Sequence, residues 1–437
     1  MLEKRRKDTQ IIVCLYIYFT CFCKIIAYFC AMQTIIIGGG AAGFFGAIAV
    51  AEANPNARIT ILERGNSFLQ KVKVSGGGRC NVTHACFDVR ELTRNYPRGA
   101  KELAGPFTRF GPTETVLWFE QRGVKLKTES DGRMFPETDE SQTIIDCLWQ
   151  ATKKHHIDLK TSCRVDQISP IQGNRWRVTT ANEVLEADAV LVTTGSSEAI
   201  WTMLSKLGHR IVPPVPSLFT FNTKDQRLQN LAGIAVPNAQ VTLPDFKQQS
   251  NGPLLVTHWG LSGPAILKLS AWAARELHAA NYHFKLTINW LGDITQHALN
   301  AQLIDIKSEL SKKQVIANAQ FGLPARLWQS LCAAAGIADL LRWADMNKKQ
   351  LNALCQELGA CAFDIKGKST FKEEFVTAGG IDLKEINFKN FESKLFPNLY
   401  FAGEVLNIDA VTGGFNFQAA WTGGWIAGGS IGGRAAI

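Results

Sequence analysis

The sequence predicts an α/β fold in which one layered unit is interrupted by a β-barrel and a helical insert and is then resumed. Three observations carry this. A run of β-branched residues at 34–37 meets a glycine turn at 38–43, and an apolar stretch at 44–53 then reads as a helix. The texture changes at Pro213-Pro214-Val215-Pro216, where three prolines in four residues mark a boundary. Far downstream, a strand at 399–404 and a glycine turn at 412–418 repeat the texture of the start.

The first stretch carries the most chemistry. Gly38, Gly40 and Gly43 are spaced G-x-G-x-x-G between strand and helix, the phosphate-cradling corner of a dinucleotide-binding unit. Gly38 lets the chain turn, Gly40 lets backbone approach a pyrophosphate, and Gly43 lets the helix pack on the strand. The helix start offers free N–H groups and a positive dipole end. A second strand at 58–62 ends at Glu63, 20 residues past Gly43, where an acid takes the ribose hydroxyls of an adenine nucleotide. The alternative is a purely structural βαβ turn.

Residues 71–84 form a second glycine loop, with Ser75, Arg79, Cys80, Asn81 and Thr83 around Gly76-Gly77-Gly78. It follows the second strand, on the ligand-bearing edge of such a sheet, and is expected to close over a cofactor. A mobile surface loop is the alternative. Helices are expected at 112–121 and 141–155, with a turn and short strand at 132–136 between them. Alternating stretches at 162–168, 174–180 and 183–186 predict a small antiparallel sheet. The apolar strand 189–193, ending at Thr194-Gly195, reads as a parallel strand returning to the nucleotide edge.

Beyond the prolines, strands are expected at 219–223, 235–243, 254–258 and 283–289, forming a small antiparallel barrel. Within it, 257–264 is a polar glycine turn that opens a helix at Pro264. Residues 296–359 read helical with a break at 322–324, and a strand at 362–366 rejoins the barrel. The last segment brings a strand ending in Gly403-Glu404, then Gly413-Gly414-Phe415-Asn416 opening a helix through 427. Three ligand-facing glycine turns on one sheet exceed the needs of a mononucleotide and suit a long ligand such as FAD.

The expected division is an extension at 1–31, a discontinuous nucleotide-binding domain at 32–215 and 376–437, a barrel at 216–290 and 361–375, and a helical insert at 291–360. With 437 residues, two or three domains of roughly 150 each are expected. The net charge of +9 is compatible with nucleic acid, a membrane surface or an anionic cofactor. No long basic run stands out in the body, so no nucleic-acid partner is expected. Among the 11 cysteines no C-x-x-C pair or Cys/His cluster has zinc spacing, which argues against a structural zinc and a disulfide framework. No metal is expected, and free thiols suit a reducing cytoplasm.

The extension has a basic start, then an apolar run broken by Lys24, as in a signal peptide or membrane anchor. Lys24 is costly inside such a run. Tyr28 and Phe29 sit badly before a cleavage site, and the first strand follows Met32 without a linker. We read 1–31 as an over-called start with Met32 as initiator, so that no stable membrane anchor is expected. A real anchor is the alternative.

Together the motifs at 38–43 with Glu63, 71–83, 132–136, 257–264, 376–380 and 399–418 resemble the BaiN-like (YhiN-like, aminoacetone oxidase-like) NAD(P)/FAD-dependent oxidoreductase family. The match runs from about Met32 to the C-terminus. One departure is His84, where that family usually carries Asn after Thr83. The resemblance implies a Rossmann-like FAD/NAD(P)-binding domain interrupted by a β-barrel and a helical insert. It implies that Gly38, Gly40, Ala42 and Gly43 hold the pyrophosphate, and Glu63 with Arg64 the adenosine ribose. Val165 would contact the adenine side by its backbone. Lys71, Ser75, Gly77, Arg79, Cys80 and Asn81 would line the middle and flavin end. Thr194, Gly195, Gly403 and Glu404 would hold the ribityl region, and Gly414, Phe415 and Asn416 the pyrimidine edge of the flavin.

The expected function is therefore hydride transfer by an FAD-dependent oxidoreductase, with NAD(P)H as a candidate reductant and a small-molecule substrate. His258 is the candidate proton donor, as the only His in a ligand-like glycine turn. Its alternative role is to cap the helix at Pro264. Three other readings stand beside this one. They are a thiol/disulfide flavin reductase using Cys80, with five residues between it and Cys86, an RNA-associated flavoprotein, and a non-catalytic FAD binder. Oligomeric state is not encoded in any motif.

Overall fold

The computed structural model describes residues 31–369 and 376–433. The reading of the N-terminal extension as a false start or anchor lies outside the described residues, Ala31 apart. The first strand, Gln33–Ile37, is buried on both faces, as its unbroken apolar run requires. It sits near the middle of a seven-stranded sheet whose order is Ile386–Asn387, Glu392–Ser393, Leu399–Phe401, Ala189–Val192, Gln33–Ile37, Arg58–Leu62 and Asp158–Lys160. The last five run parallel, in register Thr34 with Ala189 and with Ile59. Their C-terminal ends therefore share one edge.

The helix Ala41–Ala53 is apolar all round, with every residue from Ala42 to Ala51 buried, because it is covered on both sides. The sheet lies beneath it, and the C-terminal helix Phe415–Ile431 lies against it. That approach is closer than any Cβ allows. A methyl on Gly428 would stand 2.2 Å from Gly46 O, and one on Gly424 would stand 2.6 Å from Ala42 O.

Several local expectations are corrected. The stretch 71–84 is not all loop. Gln70–Gly78 is helical at first and kinks at Ser75, Gly76 and Gly77, and Thr83–His84 then pairs with Arg133–Pro136. The prolines at 213–216, read as a boundary, are themselves in regular structure. They lie in the strand Ile211–Ser217, which pairs antiparallel with Val376–Ile381. Its register shifts between Val212 and Val215, where Pro213 and Pro214 have no N–H to give. The strand expected at 254–258 is Gln248–Val256, because His258-Trp259 makes the hairpin turn. Helices Val89–Thr93, Ala100–Arg109 and Glu198–Leu207 were not expected.

The second sheet also has seven strands and closes through one short segment. Cys361–Lys366 pairs with His283–Asn289 at one edge, and after Gly367, at φ +107°, Lys368–Ser369 pairs with Thr220–Asn222 at the other. The barrel interior and the helices Gln296–Glu309, Ala325–Ala334 and Lys348–Gly359 share one apolar core, separate from that of the parallel sheet.

Candidate active site

At the C-terminal edge of the parallel sheet the first glycine turn is fixed by close contacts. Gly38 has φ +109°, and a Cβ on it would lie 2.7 Å from Thr193 O. Thr193 Oγ1 donates to Gly38 O at 2.8 Å. A Cβ on Gly43 would lie 2.1 Å from Gly38 O, whereas one on Gly40 would meet nothing within 4 Å. Gly40 is the N-cap of the helix and supplies no side-chain hydrogen bond, so the first-turn N–H groups beside Ala42 face this open side. Glu63 clamps the turn. Its Oε2 accepts from Gly39 N at 2.8 Å and its Oε1 from Gly65 N at 2.7 Å. Arg64 is exposed. Val165 is brought to the same place by its own strand, since Ser162 N and Cys163 N donate to Gly65 O and Glu63 O.

A second cluster forms where four other segments meet. Lys71 Nζ is 2.6 Å from Glu404 Oε2, and Glu404 Oε1 accepts from Thr377 N at 3.0 Å. Gly195, at φ +61°, leaves Glu404 Oε2 3.8 Å from where its Cβ would stand. Gly403, at φ +76°, packs against Ala42. Thr194 Oγ1 and Thr377 Oγ1 are buried with no hydrogen-bond partner in the protein. Buried hydroxyls are normally paired, so two orphans beside a glycine-open edge fit a polar ligand rich in hydroxyls and phosphates.

The C-terminal glycine turn forms the third cluster. Gly414, at φ +91°, starts the helix Phe415–Ile431. With its amide turned to satisfy its neighbours, Asn81 accepts from Gly414 N at 2.9 Å and donates to Thr83 O at 3.0 Å. Asn416 pins the preceding loop, accepting from Ala410 N at 2.9 Å and donating to Ala410 O at 3.1 Å. Phe415 is buried, with its carbonyl accepting from Tyr96 O–H at 2.6 Å. Tyr96 was missed by sequence reasoning, and only its position before Pro97 marks it as a turn residue.

Not every candidate joins these clusters. Arg79 turns to Glu129 Oε1 at 2.6 Å and lies 3.9 Å over the Phe135 ring. Ser75 donates to Val72 O at 3.0 Å, and Gly77 is exposed. His258 stands exposed at the tip of a barrel hairpin beside Trp259, with ring centroids 6.0 Å apart. It does not cap the helix at Pro264, whose N-cap is Gly263 without a side-chain bond.

Cys80 is fully buried, and burial pushes its thiol up to about 12. A thiol needs thiolate character to react. Iodoacetamide at mildly alkaline pH is therefore expected to modify half-buried Cys86 before Cys80, and to reach Cys80 only after denaturation. Peptide mass mapping checks this. Rapid native alkylation of Cys80 would restore the thiol route.

The parallel sheet with its glycine turn at 38–43, with Gly195 and Gly403 and with the orphaned Thr194 hydroxyl at its C-terminal edge fits an FAD-dependent oxidoreductase with a Rossmann-like fold. The chain belongs to the HI0933-like family, whose Rossmann-domain model matches residues 32–430. It is 25% identical over 408 residues to the 3-dehydro-bile acid delta(4,6)-reductase of Clostridium scindens, covering 90% of this chain and 97% of that protein. It is 27% identical over 405 residues to the ribosomal RNA dihydrouridine synthase of Escherichia coli, covering 90% and 96%. The protein of that name from Haemophilus influenzae is 26% identical over 404 residues, covering 89% and 96%. No described helix is long and apolar enough to cross a membrane.

Proposed function

We propose that this chain reduces a carbon–carbon double bond conjugated to a carbonyl, using FAD to pass on a hydride taken from NAD(P)H. The observation that carries the reading is the cradle at the sheet edge, where the open turn at Gly40 lies beside Gly403, Gly195 and the orphaned Thr194 hydroxyl, with the thiol of Cys80 buried and protonated. FAD supplies the two-electron chemistry when bound, and the chain binds and orients it. Gly40 and the first helix start would take the pyrophosphate, Glu63 the ribose, and Gly403, Glu404, Thr194 and Gly195 the ribityl chain. The helix start at Gly414 would place positive partial charge at the pyrimidine edge.

The relatives support the choice of reaction. A delta(4,6)-reductase acting on a 3-oxo steroid and a synthase making dihydrouridine differ in substrate. Both saturate a double bond conjugated to a carbonyl. We keep a small unsaturated carbonyl compound as the first substrate class. A uracil ring within RNA is the second reading, favoured by the two RNA-acting relatives and by the net charge of +9.

The test is anaerobic reduction of the purified flavoprotein with NADH and NADPH, followed by reoxidation with a panel of cyclic enones, with unmodified RNA and with oxygen. Bleaching by a nicotinamide and reoxidation by an enone are expected. Reoxidation by RNA alone, with dihydrouridine formed and binding that weakens steeply with salt, would select the second reading. If neither nicotinamide nor a wider reductant panel bleaches the flavin, the oxidoreductase reading falls. If only oxygen reoxidises it, the chain is an oxidase.

A further inference from the structure

We propose that His84 takes up a proton at Nδ1 when the bound FAD is reduced, and so sets the pH dependence of the flavin's reduction potential. This rests on the reading that the turn 413–416 faces the pyrimidine edge of the flavin.

His84 is held from three sides. Its strand pairs it with Arg133. Its Nε2 is 3.0 Å from Asp131 O, an acceptor only, which fixes the proton on Nε2 and leaves Nδ1 as a bare lone pair. Its ring stacks on Phe415, with centroids 4.7 Å apart and planes 21° apart. Gly132 presses on one edge, where a Cβ would stand 2.3 Å from Cε1, and Gly413 on another, where a Cβ would stand 3.5 Å from Cδ2. The hydrogen bond to Asp131, the stack on Phe415 and the close approach of Gly132 hold the imidazole in this pose.

In this pose Nδ1 is buried and has no hydrogen-bond partner. A buried acceptor without a donor is rare and calls for an explanation. A site that is filled by a proton in only one redox state supplies it. The charged groups facing the ring are Asp131, which favours the cation, and Lys268 from the helix Pro264–Trp272 and Arg133 from the partner strand, which oppose it. Burial outweighs them and holds His84 below its ordinary value, which favours the neutral ring.

The balance is explicit. A hydride from NAD(P)H, or two electrons from dithionite with one proton from water, reduces the flavin and leaves one negative charge at its pyrimidine edge. A second proton, from water, binds His84 Nδ1 and offsets that charge. The nearby negative charge raises the imidazole's affinity for the proton, so uptake spans the interval between its oxidised-state and reduced-state values.

The experiment is a redox titration of the holoenzyme across the histidine range, followed by the flavin spectrum. A two-electron couple moves about 30 mV per tenfold change, so one proton gives about 30 mV per pH unit and two give about 59 mV. Wild type is expected to show the steeper slope over one interval. His84→Phe, which keeps the stack, and His84→Asn, which keeps a polar group, are expected to hold the shallow slope throughout. A uniform shallow slope in wild type, or a steep interval that survives in both variants, overturns the proposal while leaving the FAD site standing. A purified protein that takes up no FAD overturns the site and the proposal together.

Discussion

Gly40→Ala is expected to abolish FAD binding and leave the fold intact, while Gly43→Ala is expected to damage both. The two glycines belong to one motif and differ in what surrounds them. Gly40 has φ −92° and ψ −166°, an extended conformation open to any residue, and its Cβ would meet no protein atom within 4 Å. Alanine is a poor N-cap, worth roughly 0.5–1 kcal/mol, and the stiffer unfolded chain offsets about as much. Its methyl would project into the open side, where on the proposed reading the pyrophosphate approaches the backbone. A loss of at least about a hundredfold in FAD affinity, about 2.8 kcal/mol, is expected. The Gly43 methyl would instead stand 2.1 Å from Gly38 O and 2.8 Å from Thr193 Oγ1. Both belong to the strand ends that define the turn, so helix and sheet must part, at a cost of about 3 kcal/mol. Thermal unfolding of the apoproteins separates the cases, and fluorescence titration with FAD reads the affinity. Gly40→Ala with wild-type affinity would remove the pyrophosphate from this turn.

The legible part of the fold was the part written locally. The strand–turn–helix at 33–53 announces itself because the glycines are contiguous with the β-branched run they serve. Glu63 was placed by counting, and it does reach back to Gly39. The barrel was legible from alternating strands, though its closure depends on a single glycine, Gly367, joining two pairings. What was not legible depends on partners far apart in the chain. Tyr96 bonds to Phe415 across 319 residues, and Lys71 to Glu404 across 333. No periodicity links such positions. Composition also misled twice. The glycines at 76–78 concealed the helical turn that precedes them, and the prolines read as a boundary lie within a strand with a bulge, which their composition did not announce. Arg79, a cofactor candidate from its motif, also has a cation–π partner in Phe135 and an ionic partner in Glu129, which the motif did not announce.

The second large effect is expected at Arg98 and Asp409, where one buried ion pair joins four segments. Asp409 is fully buried and accepts from Arg98 Nε and Nη2, and from Ser217 Oγ at 2.8 Å. Arg98 Nη1 donates to Ala271 O at 2.8 Å. Ser217 ends the proline strand, Ala271 lies in the barrel-side helix Pro264–Trp272, and Asp409 precedes the turn that leads to Gly414. Removing one charge leaves the other buried without its partner. Arg98→Met is expected to destabilise by about 3–5 kcal/mol, and Asp409→Asn by a little less, because Arg98 keeps some exposure. FAD affinity should fall with them, since the loop that carries Asp409 also positions Asn416 and Phe415. The double variant Arg98→Met/Asp409→Leu removes both charges at once. It strands only the Ser217 hydroxyl and the Ala271 carbonyl, and is expected within about 2 kcal/mol of wild type. Urea unfolding of the three variants decides this. If each single variant loses less than about 1 kcal/mol, the pair is not what ties the barrel to the turn at 413–416. If the double variant regains stability without regaining FAD affinity, the charges serve the geometry of the turn rather than the stability of the fold.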